Sequence, residues 1–192
     1  MRIIGGLCKG QRLFSPEGDE VRPTSDKIRE SIFNVLTHNE EWVCLEKASV
    51  LDLFAGSGAM GLEALSRGAL SAIFVDNSQS ALDTIEKNVR HLGLKDKSLL
   101  LKFDSTDLFR SPRLSKISAD VIFLDPPYGK NLIFQTLRSL DALGCLSYGS
   151  LCICEMEASK SAEEIKNFKI IFDRSYGKIK VCMLKYMKQF KT

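Results

Sequence analysis

This chain of 192 residues has one tryptophan, two histidines and five prolines. It also lacks any apolar run near the length that crosses a bilayer, which argues against a membrane span. Its opening, Met1-Arg2-Ile3-Ile4-Gly5-Gly6, is broken by glycines too early for a signal-peptide core, so a cytoplasmic location is expected. His38 and His91 stand in helix-like contexts and read as structural. The six cysteines (Cys8, Cys44, Cys145, Cys152, Cys154 and Cys182) show neither zinc-ribbon nor thioredoxin spacing. Cys152 and Cys154 alternate on a strand-like segment and share a side, as buried reduced thiols do. No metal is expected, and no internal repeat or low-complexity linker interrupts the chain.

At 44% hydrophobic content the chain can bury one sizeable core but is short for two full domains. Its net charge of +3 is unevenly spread. From Ile165 to Thr192 there are eight basic residues against Asp173 alone, a segment charge of +7, which leaves about −4 for the remainder. The first fourteen residues carry Arg2, Lys9 and Arg12 with no acid. Basic ends around an acidic middle suit a polyanionic partner, although solvated lysines on strand faces would give the same pattern.

Residues Arg2 to Phe14 read as a glycine-punctuated β-hairpin turning at Lys9-Gly10. After a polar loop, Ser25–Leu36 carries a helical stripe of Ile28, Ile32, Phe33, Val35 and Leu36, capped by Thr24 or Ser25. From Ala48 onward strands alternate with helices. Strands are expected at Ser49–Phe54, Ala72–Val75, Leu99–Phe103, Asp120–Leu124 and Leu151–Cys154, with helices at Ala59–Arg67, Gln79–Leu92 and Leu132–Leu143. Lys169–Phe172 and Ile179–Tyr186 flank Tyr176-Gly177 as a closing antiparallel pair. Such alternation implies an α/β fold with a mostly parallel sheet covered on both faces. Ligands bind beyond the carboxyl ends of the strands in such sheets. Asp52, Asp76, Asp104 and Asp125 each stand near one of those ends.

Gly56-Ser57-Gly58-Ala59-Met60-Gly61 matches G-x-G-x-x-G, with Asp76 at the distance of a ribose-binding acid, so a dinucleotide site is a serious rival reading. A pyrophosphate wants a helix N-terminus free of negative charge. Asp52 close to the glycine turn would repel a pyrophosphate and would suit an ammonium.

Asp52-Leu53-Phe54-Ala55-Gly56-Ser57-Gly58 followed by Leu124-Asp125-Pro126-Pro127-Tyr128 resembles the cofactor and catalytic loops of S-adenosylmethionine-dependent methyltransferases that modify base amino groups. The chain departs from many other methyltransferases in having Phe54 where a further glycine is usual. The resemblance implies that Gly56 and Gly58 admit the cofactor, that Asp52 faces its methionine ammonium, that Asp76 holds the ribose hydroxyls and that Asp104 accepts from the adenine amine. The alternative for Asp104 is a strand-end or helix-cap residue.

The tetrapeptide Asp125-Pro126-Pro127-Tyr128 has a mechanism suited to an exocyclic amine. The lone pair of such an amine is delocalised into the ring. Two acceptors on its N–H groups, the Asp125 carboxylate and the Pro126 carbonyl, can draw the nitrogen toward tetrahedral geometry. Prolines lack N–H donors and fix φ, so that carbonyl is held with little entropy left to lose. Tyr128 offers a face on which a base can stack. The sulfonium supplies the electrophile, so the scheme needs neither a metal nor a strong base.

Arg2-Ile3-Ile4-Gly5-Gly6, the run from Arg22-Pro23-Thr24 through Asn34, Asp52–Leu65 and Asp125–Tyr128 together resemble the RsmD family, bacterial methyltransferases acting on guanine N2 in small-subunit (16S) ribosomal RNA. Asp76 stands where glutamate is common, and Tyr128 where phenylalanine is frequent. The resemblance implies a Rossmann-like class I methyltransferase domain with a seven-stranded sheet. Residues 1–40 would form a hairpin-helix extension and 48–192 the catalytic core. It further implies that the extension contacts RNA, with Arg22, Thr24 and Arg29 as candidates for a roof over the site beside Arg2, Lys9 and Arg12. The expected partner is small-subunit ribosomal RNA or its assembly particle, met by a monomer with no membrane attachment. Two alternatives stand beside this reading, an adenine-N6 methyltransferase on DNA or RNA and a non-catalytic nucleotide- or RNA-binding module.

Overall fold

Near-continuous apolar runs such as Val121-Ile122-Phe123-Leu124 make strands that must be covered on both faces, and the chain covers them with helices from two sides. The computed structural model describes residues 1–16, 26–39, 42–108, 114, 117–127, 132–160 and 165–189. Three candidate site residues, Arg22, Thr24 and Tyr128, lie outside the described residues, as does the Ser25 cap.

In chain order the elements are α1 (Asp26–His38), β1 (Ser49–Leu53), α2 (Ala59–Ser66), β2 (Ser71–Asp76), α3 (Gln79–His91), β3 (Ser98–Lys102), β4 (Ala119–Leu124), α4 (Leu132–Leu143), β5 (Leu146–Glu157), β6 (Phe168–Tyr176) and β7 (Ile179–Tyr186). The strands form one sheet in the order β3-β2-β1-β4-β5-β7-β6. The first five run parallel, and β7 inserts antiparallel between β5 and β6. This is the Rossmann-like α/β architecture expected from the sequence.

Strand alternation divides the core into two layers. Val50, Phe74, Val121, Phe123, Ile153 and Met183 face one side, where α1, α2 and α3 bring Phe33, Leu62 and Ile85. Leu51, Leu53, Val75, Ile122, Leu124 and Leu184 face the other, covered by Leu137 and Leu140 of α4. Each such large side chain, fully buried, stabilises the fold by roughly 1.5–3 kcal/mol. Cys152, Cys154 and Cys182 belong to the second layer and are unbridged. Burial pushes the Cys182 thiol up to about 12, so these sulfurs act as small apolar groups.

Three segments differ from expectation, one of them the strand expected at Lys169–Phe172, which runs from Phe168 to Tyr176. The strand expected at Leu151–Cys154 runs from Leu146 to Glu157. Its polar start is irregular, with a register shift opposite Ala119 and Val121, and Ser150 Oγ donates to Ala119 O at 2.7 Å while accepting from Ser147 N at 2.9 Å. A side chain thus replaces ladder bonds there, which hides the strand from a periodicity reading.

The expected N-terminal hairpin makes one bridge, Arg2 with Arg12, rather than two regular strands. Its tip is pinned to α2. Ile4 N and Gly5 N donate to the Glu63 carboxylate at 2.7 and 2.8 Å, and Leu7 N donates to Ser66 O at 2.7 Å. At Gly6, with φ +74°, a Cβ would lie 1.9 Å from Ser66 O, so the two backbones can approach only here through glycine.

Candidate active site

Helices cross from strand to strand in one direction after β1 and in the other after β4, so the sheet reverses between them. A crevice opens at the carboxyl ends of adjacent strands at such a point. The register sets what lines it. Leu53 of β1 is level with Val75 of β2 and Leu124 of β4. The next residues, Phe54, Asp76 and Asp125, therefore leave three neighbouring strands at one height. Neighbouring strands lie about 4.8 Å apart, which puts the exits carrying the two aspartates about 10 Å from each other, with β1 between.

The turn after β1 is held open by backbone geometry. Phe54 has φ +60°, an uncommon conformation for a bulky residue, and Gly56 and Gly58 follow at +55° and +77°. The usual glycine at the Phe54 position of methyltransferase loops is thus explained: the turn needs a left-handed residue there. Here the ring packs against the second core layer. Gly56 N donates to Asp76 Oδ2 at 2.9 Å, and Ser78 N donates to Asp76 Oδ1 at 2.9 Å, so one carboxylate ties the loop to the end of β2. A Cβ on Gly56 would meet a single atom within 4 Å, whereas one on Gly58 would meet Ile85 and Phe74 at 3.2–3.3 Å. Space is thus left against the backbone at Gly56 and is closed at Gly58, which begins α2.

Asp52 points toward that helix. Its Oδ2 accepts from Gly61 N at 2.9 Å, in the first turn of α2. A Cβ on Gly61 would press on the Phe74 ring at 2.5 Å, so glycine lets helix and strand close around the carboxylate. Asp52 is only 3% exposed. Burial pushes its carboxyl up to about 8 against the pull of the Gly61 N–H, and the Asp125 and Asp76 charges add to the rise. A carboxylate in this place calls for a cation.

Asp125 is half-buried, Pro126 is buried and Pro127 is exposed. Asp104 lies two residues beyond the level of Asp76 on the neighbouring strand and is exposed. It accepts from Thr106 N at 2.8 Å and Thr106 Oγ1 at 2.7 Å, which hold its carboxyl below the usual range. Those contacts are the ones a strand-end cap makes.

The residues considered for RNA contact divide. Arg2, Lys9 and Arg12 are exposed. Arg29 is fully buried and cannot form part of a roof that touches RNA. Its guanidinium donates to Arg2 O and to Asp26 Oδ1 at 3.0 Å, and lies 3.8 Å from Glu63. It braces the N-terminal segment instead.

The basic C-terminal segment is also split. Glu157 pairs with Ile179, so the β6–β7 turn carrying Lys178 is at the carboxyl edge of the sheet. Lys185 pairs with Leu151 at the opposite edge, and Lys180 pairs with Asp173 at 3.6 Å. These three lysines do not make one patch.

Two residues not singled out in the sequence support the site. Glu63, fully buried, receives the N-terminal backbone and also Arg67 Nε at 2.7 Å. Asn88 Nδ2 donates to Ser57 O at 2.9 Å and to Phe14 O at 3.0 Å, which joins the glycine turn to the N-terminal segment. The sequence signal for Glu63 was present: it is the single acid in the otherwise apolar Ala59–Ser66 helix. Asn88 carried no comparable mark.

Comparison with known proteins places this geometry in context. The family model described as "Conserved hypothetical protein 95" matches residues 1–185. Ribosomal RNA small subunit methyltransferase D of Escherichia coli strain K12 is 33% identical over 162 residues, 82% of this chain and 75% of that protein. The protein of the same name from Haemophilus influenzae is 30% identical over 178 residues, 92% of this chain and 89% of that one. The solved structure of yhhF from Escherichia coli superposes with a TM-score of 0.83 at 28% identity, covering 98% of this chain and 99% of that one.

Proposed function

The chain belongs to the conserved hypothetical protein 95 family, the RsmD family of ribosomal RNA methyltransferases, and from that membership we propose its reaction: methyl transfer from S-adenosylmethionine to the exocyclic N2 amine of a guanine in small-subunit (16S) ribosomal RNA. The fold is that of the class I methyltransferases. The observation that carries the reading is the row of three carboxylates, Asp76, Asp52 and Asp125, along adjacent strand ends around one glycine turn.

The chain's own residues fit this cofactor. The buried Asp52 carboxyl suits the methionine ammonium, a cation that would favour its ionised form. The space beside Gly56 suits a ligand laid against backbone, and Asp76, already oriented by two N–H donors, retains lone pairs for ribose hydroxyls. Asp104 would accept from the adenine amine through the same carboxylate that Thr106 orients. When bound, the cofactor supplies an electrophilic methyl group.

The work left to the protein is on the amine. The Asp125 carboxylate and the Pro126 carbonyl accept its two N–H groups and direct its lone pair at the methyl carbon. Loss of the proton follows methyl transfer and needs no metal in this scheme. Tyr128 is assigned base stacking, and Pro127 holds the turn. Guanine N2 lies on the minor-groove edge, so the base must be unpaired or extruded, at a cost of a few kcal/mol. Arg2, Lys9 and Arg12 on the N-terminal segment, which is bonded to the glycine turn through Asn88, are assigned contacts with RNA phosphates.

The test is incubation of the protein with labelled S-adenosylmethionine and undermodified small ribosomal subunits, followed by nucleoside analysis. N2-methylguanosine is expected. N6-methyladenosine would move the chemistry to the adenine reading, and no transfer to either base would return the chain to a binding module.

A further inference from the structure

A groove of about 400 Å³ runs between α1 and the edge strand β6, away from the cofactor loop. Its α1 wall is a stripe of Lys27, Ser31, Asn34 and His38, one face of the helix, and Arg174 of β6 forms the opposite wall. The buried stripe of the same helix, Ile28, Ile32, Phe33 and Leu36, is turned to the core. We propose that this groove holds the phosphodiester backbone of the single-stranded RNA flanking the target nucleotide, an inference that rests on the RNA-methyltransferase reading above.

The groove and the catalytic loop lie at one height on the sheet. Arg174 pairs with Val181, and Val181 with Glu155. Leu124 pairs with Cys154, so Asp125 exits at the height of Glu155 and thus of Arg174. Val181 and Phe123 lie in the core layer beneath α1, which puts Arg174 on the α1 side of the sheet, as Asp125 is by strand alternation. Three strand spacings, about 14 Å, separate the two along the carboxyl edge. A strand whose base enters at Asp125 can therefore continue over the edge toward Arg174 and down the groove.

Lys27 and Arg174 are exposed cations, while Ser31, Asn34 and His38 present hydrogen-bonding groups that repeat along the helix at about 5.4 Å per turn. The Arg174 guanidinium lies 5.5 Å over the Tyr176 ring, and the Tyr176 hydroxyl is 2.6 Å from Ser31 Oγ, so the two walls are linked and the cation is held in place. Among the described lining residues Val35 is the apolar member and none is Phe, Tyr or Trp, which favours a phosphate backbone over a protein partner. Glu30 also lines the groove and opposes an anion, which gives the proposal a test of sign.

Binding of the full-length protein to undermodified small ribosomal subunits and to protein-free 16S RNA is measured across a salt series, without reliance on turnover. Lys27→Gln with Arg174→Gln should weaken binding to both about tenfold and lower the salt slope by about 1–2, with S-adenosylmethionine binding unchanged. Glu30→Gln should tighten RNA binding and leave S-adenosylmethionine binding unchanged, and weaker RNA binding by this variant would overturn the groove. Wild-type affinity and slope in the double variant would overturn the groove. Weaker binding to subunits but unchanged binding to protein-free RNA would also overturn it, since the contact would then be a ribosomal protein. Methylation by the unsubstituted protein is scored separately, so loss of the groove and loss of the reaction are distinguishable.

Discussion

The most informative perturbation is the charge of Asp52. Its carboxyl is 3% exposed and is raised from the ordinary 3.8 to about 8, with burial as the leading cause. Folded protein therefore holds this proton more tightly than unfolded protein. The stabilisation is fully present below pH 3.8 and is lost as pH rises toward about 8, at up to about 1.4 kcal/mol per pH unit. Between pH 5.5 and 7.5 this one group should cost the cofactor-free fold about 2.5 kcal/mol. Asp52→Asn keeps an oxygen for Gly61 N–H and removes the titration, so the difference between variant and parent isolates its contribution.

A bound ammonium reverses the preference. Cofactor binding should then release close to one proton at pH 6.5, and affinity should rise by up to about tenfold per pH unit until the ligand's own amine deprotonates near pH 8. Calorimetry in buffers of different ionisation enthalpy counts the proton, and urea melts at several pH values give the stability slope. The reasoning fails if Asp52→Asn binds S-adenosylmethionine as tightly as the parent and neither protein releases a proton.

Three further outcomes are expected. Asp125→Ala should leave cofactor affinity nearly unchanged while single-turnover methyl transfer falls by about two to three decades, and near-parental transfer would place the chemistry elsewhere. Glu63→Ala should destabilise the fold by about 3–5 kcal/mol in urea unfolding, because it leaves the Ile4 and Gly5 N–H groups without their acceptor and the buried Arg29 with Asp26 as its remaining carboxylate partner. Hydrogen exchange at those two amides should rise with it, and protected amides in that variant would show the segment is held otherwise. Replacing Arg2, Lys9 and Arg12 by glutamine should flatten the salt dependence of RNA binding by up to about three in slope, whereas an unchanged slope would return them to the solvated surface.

What could be read from the chain was local. The helix at Leu132–Leu143 and the strand at Ile179–Tyr186 have the bounds that their periodicity implied, and most other elements differ by a residue or two. Asp76, Asp104 and Asp125 follow apolar runs and Asp52 stands near the end of one, and in a parallel sheet that position assigns them to one edge. The glycine turn and the Asp125-Pro126-Pro127 segment needed no tertiary knowledge either, because their backbone demands are written in the residue types.

What the chain could not disclose depended on strand order and packing between distant segments. Arg29 reads as an exposed arginine in an amphipathic helix. Its burial follows from Glu63, thirty-four positions later, lying beneath it on α2. Lys178 and Lys185 read as one basic cluster, yet β7 crosses the whole sheet between them, inserted antiparallel between β5 and β6. The unusual protonation of Asp52 likewise needs the helix, the Phe74 ring and two other carboxylates brought around it. Residue types and their spacing determine which groups are available and which elements they sit on. Only the packed sheet and its helices, by excluding water from some of those groups and leaving others at an edge, decide which become bracing and which can meet a ligand.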